Sequence, residues 1–218
     1  MNETTSDHYF SAQPASRERE RAVTFTIRDH EYQMTAPSGV FARHGLDKGT
    51  EVLLKKVPRD ELVGSAESGD AVTAPLVVDL GCGWGPISAV LATEYPQAEV
   101  LAVDINERAL QATRTNLAKL GITNVTIKEA SAALAELRES GRTAQLIWSN
   151  PPIRVGKDAL HQMLTEWLDV LDPQGSAYFV VQHNLGSDSL ARWLTDQGYP
   201  TEKIGSQKGF RILRSRRG

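Results

Sequence analysis

The chain has 218 residues, 40% of them hydrophobic and 23% charged, enough for one sizeable core with a small appendage. A net charge of −3 and a pI of about 6.0 exclude a globally basic nucleic-acid coat, and the single cysteine, Cys82, excludes a disulfide framework and a cysteine-based zinc cluster. No apolar run approaches the roughly 18 residues of a membrane-spanning helix, and the polar, acidic opening MNETTSDHYF is no secretion signal, so a soluble cytoplasmic protein with no membrane or metal partner is expected.

Residues 1–22 are polar and charge-rich and are expected to be loosely ordered. In TFTIRDHEYQM (24–34), Phe25, Ile27, Tyr32 and Met34 alternate with polar residues around an Asp29-His30 turn, the pattern of a β-hairpin. DKGTEVLLKKV (47–57) has the pattern of a short amphipathic helix. The stretch 58–75 is rich in Gly, Ser, Pro and acids without periodicity, as expected of a flexible loop. The chain thus divides into an extension over 1–57, a loop over 58–75 and a main domain over 76–218.

From Leu76 the pattern is regular. LVVDLG (76–81) is a buried strand, and PISAVLATEY (86–95) is a helix with Pro86 in its first turn. AEVLAVDI (98–105) is a strand, and the helix 106–121 is capped by Asn106 and stopped by Gly121. NVTIKEA (124–130) and AQLIWSN (144–150) are strands on either side of a short helix, and 157–171 is an amphipathic helix. SAYFVVQ (176–182), a helix over 187–198 and two strands flanking SQKG (206–209) complete the chain. The alternation predicts an α/β fold: a Rossmann-like, doubly wound, mostly parallel sheet with an antiparallel C-terminal edge strand, plus the small N-terminal hairpin and helix.

Three segments fall where open α/β sheets bind ligands, at the carboxyl ends of strands. VVDLGCGWGPI places Asp79, Gly81, Gly83 and Gly85 at the first strand-to-helix turn. The spacing differs from the dinucleotide fingerprint, Pro86 removes a donor that a phosphate would want, and Asp79 would repel a pyrophosphate. A nicotinamide-dependent oxidoreductase is therefore disfavoured, whereas the sulfonium and ammonium of S-adenosylmethionine suit an acid there. Asp104 ends the second strand, where a carboxylate can accept both ribose hydroxyls or simply cap the next helix. Cys82 is a small packing residue within the loop, with no partner base to make it a nucleophile.

The third segment is SNPPIRVGK (149–157). Proline has no N–H and restricts the residue before it, so Asn150 is held at a stiff corner beside the Pro151 carbonyl. Those two oxygens can accept both N–H groups of an amine or carboxamide, turning its lone pair toward a sulfonium methyl. Of the histidines, only His183, beyond the strand 176–182, falls on this edge. From Glu202 onward, Lys203, Lys208, Arg211, Arg214, Arg216 and Arg217 stand against one acid, a tail that can bind phosphate or serve as a solvated end.

With these motifs, and with HYFSAQPAS, SGVFARHGLDKGTEVLL, VDINERAL and KGFRIL, the chain resembles the MTS ("methyltransferase small") group of class I S-adenosylmethionine-dependent methyltransferases. That group includes small-subunit rRNA guanine-N2 methyltransferases of the RsmC type, and the resemblance is strongest to its short, single-domain YbxB-type members. It implies an enzyme methylating guanine N2, with rRNA or the small ribosomal subunit as partner. Glutamine amide or adenine N6 methylation, and a cofactor-holding RNA-binding module without turnover, are the alternatives. By the resemblance, Asp79, Gly81, Gly83 and Gly85 line the methionine end of the cofactor and Asp104 holds its ribose, with Cys82, Ile105, Ser131 and Asn150 as further cofactor contacts. Asn150 and Pro151 carry catalysis; Pro152, Ile153, Arg154 and Lys157 meet the substrate; and 41–50 closes over the cofactor pocket. Ile153 stands where many such enzymes carry a stacking aromatic.

Overall fold

The computed structural model describes residues 20–37, 45–59, 62 and 74–218, with the side chains of Glu20 and Arg154 outside that description. Strands β1 (Glu20–Ile27) and β2 (His30–Pro37) pair as an antiparallel hairpin, followed by helix α1 (Lys48–Lys56). The main sheet contains β3 (Leu76–Leu80), β4 (Glu99–Asp104), β5 (Val125–Glu129), β6 (Ala144–Ser149), β7 (Leu171–Gln182), β8 (Thr201–Gln207) and β9 (Phe210–Ser215). Helices α2 (Pro86–Glu94), α3 (Glu107–Lys119), α4 (Ala130–Ser140), α5 (Lys157–Leu168) and α6 (Ser187–Asp196) connect them.

The sheet order is β5-β4-β3-β6-β7-β9-β8. Strands β3 to β7 are parallel, and β9 runs antiparallel between β7 and the edge strand β8. The chain starts at β3 and winds outward first through β4 and β5, then the other way through β6 and β7. Beyond the carboxyl ends of β3 and β6 the winding reverses, leaving a crevice between the divergent loops.

Side chains alternate between two cores. Val77, Leu146, Trp148, Tyr178 and Val180 face α1, α2 and the hairpin, while Val78, Leu80, Ile147, Phe179 and Val181 face α4, α5 and α6. The hairpin's apolar face, Val23, Ile27, Tyr32, Met34 and Ala36, is buried in the same cluster as α1 and α2. Buried Asn116 on α3 ties the hairpin down further, exchanging hydrogen bonds of 2.8 Å with the Thr35 N–H and C=O and donating to the Trp84 carbonyl.

The hairpin turn lies one residue earlier than expected, at Arg28-Asp29, with His30 already paired to Ile27. Both turn residues have positive φ, 49° and 71°, as a two-residue hairpin turn matching the strand twist requires. Arg28 tolerates this geometry because its guanidinium is anchored, 2.7 Å from Glu94, on the Val57 carbonyl and over the Trp148 ring. Helix α5 stops at Leu168, short of the expected 171, because Leu171 already pairs with Ala144. The register then shifts before Ser176 pairs with Leu146.

Candidate active site

The loop after β3 turns through Gly81, Gly83 and Gly85. The N–H groups of Gly81 and Cys82 both donate to the Val103 carbonyl at 2.9 Å, folding the loop over the end of β4. The Gly83 N–H, set by φ 58°, donates to Asp104 Oδ2 at 3.0 Å, and the Asn106 N–H reaches Oδ1 at 2.9 Å. A side chain at Gly81 or Gly83 would meet nothing within 4 Å, so the outer surface of the loop is open. At Gly85 (φ 93°) it would lie 3.1 Å from Thr113, so that glycine also permits close packing of α3.

Asp79 is completely buried. Its Oδ2 accepts the Ser88 hydroxyl at 2.5 Å, while Oδ1 has no hydrogen-bond partner. Burial drives the carboxyl up to about 7 against the pull of the Ser88 donors, with the Asp104 carboxylate adding to the rise. Burial also raises Asp104, opposed by the N–H groups of Asn106, Gly83 and Ile105. Cys82 packs against Ala102 and Leu110, and burial holds its thiol well above the ordinary range. Ile105 is 46% exposed. Ser131, exposed at the start of α4, donates to Glu129 at 2.5 Å. Burial raises Glu129, but hydrogen bonds from Ser131 and from the N–H groups of Ala132, Ser131 and Ala130 outweigh it and hold the carboxyl below its usual value.

At the end of β6, buried Ser149 donates to the Leu80 carbonyl at 2.7 Å and fixes the tip of β6 to that of β3. Half-buried Asn150 follows, its Nδ2 donating to Asp47 Oδ2 at 2.8 Å and Thr50 Oγ1 at 3.0 Å. The same Asp47 oxygen caps α1, taking the Thr50 N–H at 3.0 Å. A carboxylate only accepts, so the NH2 side of the amide faces Asp47 and Oδ1 points the other way. The Pro151 carbonyl accepts the Ile153 N–H at 2.9 Å across Pro152 (φ −75°, ψ 78°), an inverse γ-turn that leaves the carbonyl a second lone pair. Ile153 is half-buried against the core on the α5–α6 side, and Lys157 is exposed at the start of α5. The side chain of Arg154, residues 41–44 of the expected closing segment and the HYFSAQPAS stretch lie outside the described residues.

His183 is exposed at this edge, its ring Nδ1 3.0 Å from Asn184 Oδ1 and its N–H bonded to the Gly209 carbonyl at 2.8 Å. The basic tail runs along β9. That strand begins at the ligand edge, Phe210 opposite Gln182, and runs away from it until Arg217 donates to the Leu171 carbonyl. Arg211 pairs with Asp188, Arg214 with Glu202, and Lys208 with Glu51. Sequence reasoning placed Asp47 and Thr50 only within the closing segment 41–50, not on Asn150, and gave no role to Ser149 or Asn116; for Asp47 the signal was present, a helix-capping acid ahead of Gly49-Thr50. Among the described residues no helix is long and apolar enough to cross a membrane, and no three His, Cys, Asp or Glu side chains are grouped to hold a metal.

The family model for the methyltransferase small domain matches residues 31–214. The chain is 28% identical over 212 residues to the uncharacterized protein YbxB of Bacillus subtilis (strain 168), spanning 97% of this chain and 99% of that one. It is 37% identical over 185 residues to ribosomal RNA small subunit methyltransferase C of Hahella chejuensis (strain KCTC 2396), covering 83% of this chain and 48% of that protein. A solved structure of a T. thermophilus 16S rRNA N2 G1207 methyltransferase (RsmC), in complex with AdoMet and guanosine, superposes with a TM-score of 0.67 at 19% identity, over 94% of this chain and 52% of that chain. The chain therefore spans nearly all of YbxB and about half the length of these two rRNA methyltransferases.

Proposed function

The chain belongs to the methyltransferase small domain family, and from that premise we propose that it methylates an exocyclic amine, guanine N2 in small-subunit rRNA, with S-adenosylmethionine as cofactor. The observation that carries this reading is the Asn150 amide, whose NH2 group is engaged by α1 and whose oxygen is left to a substrate. The rRNA substrate is supported by the likeness to a small-subunit rRNA methyltransferase.

The residues present suit the cofactor. The partnerless Oδ1 of Asp79 lacks a donor, which the cofactor's ammonium end can supply. The open outer side of Gly81 and Gly83 leaves room for a ligand against the backbone. The Asp104 carboxylate, with about four lone-pair sites against the N–H groups of Gly83, Asn106 and Ile105, keeps capacity for a ribose hydroxyl, and exposed Ile105 offers an apolar surface for the adenine, with Ser131 at the neighbouring strand end. Buried Cys82 contributes backbone alone.

S-adenosylmethionine supplies a methyl group made electrophilic by its sulfonium. Asn150 Oδ1 and the second lone pair of the Pro151 carbonyl accept the two N–H groups of the amine. The nitrogen lone pair is thereby turned out of conjugation and toward the methyl. Positioning and electrostatics carry the rate: the nitrogen would gain the methyl as the methyl–sulfur bond breaks, and the proton, on a nitrogen already made acidic by alkylation, would pass to water without a strong base.

Labelled methyl transfer to naked rRNA, to isolated small subunits and to a glutamine-bearing release factor tests the proposal. Label is expected in rRNA, and Asn150→Ala should lower turnover at least about a hundredfold while leaving cofactor binding largely intact. Label appearing only in the protein would remove the enzyme from the RNA class. Near-normal turnover of folded Asn150→Ala would reject the amide role.

A further inference from the structure

We propose that Asp47 and Thr50, at the amino end of α1, are positioning residues that lock the polarity of the Asn150 amide, so that the site admits a substrate group offering N–H donors. This rests on the reading of Asn150 given above. A carboxamide has nearly the same shape with its oxygen and nitrogen exchanged, and a half-turn about its last torsion would replace the acceptor facing the substrate by a donor. Here both N–H bonds are engaged from α1, by Asp47 Oδ2 at 2.8 Å and Thr50 Oγ1 at 3.0 Å. A flipped amide would press its oxygen against a carboxylate oxygen. The Thr50 hydroxyl could rotate to donate to that oxygen, but ionised Asp47 has no proton to give. Asp47 therefore sets the sense of the amide, and buried Thr50 occupies its second N–H.

Gly49 is what lets the clamp close. A Cβ at that position would lie 3.0 Å from Asp47 Oδ2, 3.3 Å from Asn150 Nδ2 and 3.1 Å from Phe210 Cε1, so the bare backbone makes room for the bond and for the Phe210 ring of β9 beside it. Two residues on, Glu51 holds α1 to the β8–β9 turn through Lys208 at 2.8 Å. The amino end of α1 is thus fixed to two elements of the ligand edge, through contacts spanning 103 and 157 residues of sequence. The consequence is chemical selection. A primary amine or amide presents two N–H groups to Asn150 Oδ1 and the Pro151 carbonyl, whereas a carboxylate or carbonyl oxygen meets lone pairs with lone pairs.

The test uses the full chain carrying Asp47→Ser and Thr50→Val together. Serine still caps a helix but is too short to reach Asn150, and valine keeps the shape of threonine without its hydroxyl. Side-chain amide NMR signals of Asn150, assigned by their disappearance in Asn150→Asp, should show slow solvent exchange for both protons in the wild type and fast exchange in the double variant. The kcat for labelled methyl transfer to rRNA should fall about ten- to a hundredfold, with a much smaller change in the KM for S-adenosylmethionine, a split that mere loosening of α1 would not give. If the double variant does not fold, Thr50→Val alone should release one of the two amide protons. An Asn150 amide that exchanges as freely as exposed asparagines in the wild type, a double variant with full turnover, or a Thr50→Val variant with both protons still protected would each overturn the proposal. A wild-type enzyme inert on RNA whose protected amide is released by the substitutions would leave the clamp standing and reject the rRNA substrate.

Discussion

Replacing Asp79 with asparagine probes the charge logic of the glycine loop. The carboxyl is fully buried with one oxygen unpartnered, and its pKa rises from 3.8 to about 7. At about 1.4 kcal/mol per unit, three units correspond to roughly 4 kcal/mol carried by the ionised, cofactor-free protein as a penalty. The native state holds this proton more tightly than the unfolded chain. Stability from this group is therefore fully present below about pH 4 and is lost as the pH rises through about 7. Asparagine keeps an oxygen for the Ser88 hydroxyl and removes the titration. In urea unfolding without cofactor, Asp79→Asn should gain on the wild type with rising pH, by roughly 2–3 kcal/mol between about pH 5 and 8. S-adenosylmethionine affinity should fall by about tenfold or more, since a charge-assisted hydrogen bond is lost. Parallel pH profiles for the two proteins would show that Asp79 titrates normally and refute the reasoning. A stability gain with undiminished affinity would remove Asp79 from the cofactor site.

Asp104→Ala should weaken S-adenosylmethionine binding by roughly 1.5–3 kcal/mol, read by calorimetry; unchanged affinity would reduce Asp104 to the acceptor for the Gly83 and Asn106 N–H groups. Gly49→Ala should run against helix propensity, which favours alanine by up to about 1 kcal/mol, because its Cβ would meet Asp47 Oδ2 at 3.0 Å. The variant is expected to melt no higher than the wild type and to lose methyl transfer, and a higher melting temperature with full activity would contradict the crowding.

The alternating elements were legible from Leu76 onward because the inner strands β3, β4 and β6 are buried on both faces and read as short apolar runs, as in Leu76–Leu80, while the half-buried edge strand β5 reads as an alternating one. The ends of β3, β4 and β6 were legible because each carries a residue costly to place there without a use: Asp79, Asp104 and Asn150. What holds Asn150 was not, since Asp47 lies 103 residues away and its capping pattern is satisfied within α1 alone. The turn at Arg28-Asp29 carries no glycine signal, its geometry being held by Glu94 from α2. The tail's charge was visible, but its direction depends on β9 entering the sheet reversed beside β7.

The place of β9 also bears on how the chain is made. β9 leaves the ribosome after β8 yet lies inside it in the sheet. Until β9 has emerged, β8 has no partner and β7 presents an open edge along Tyr178–Val181, residues at most 1% exposed once folded. A nascent chain held before Phe210 clears the exit tunnel is therefore expected to stay open to proteases across β7, with resistance arriving only after Ser215 has emerged. Earlier resistance would mean that the five parallel strands close first and admit the β8–β9 hairpin as a finished unit.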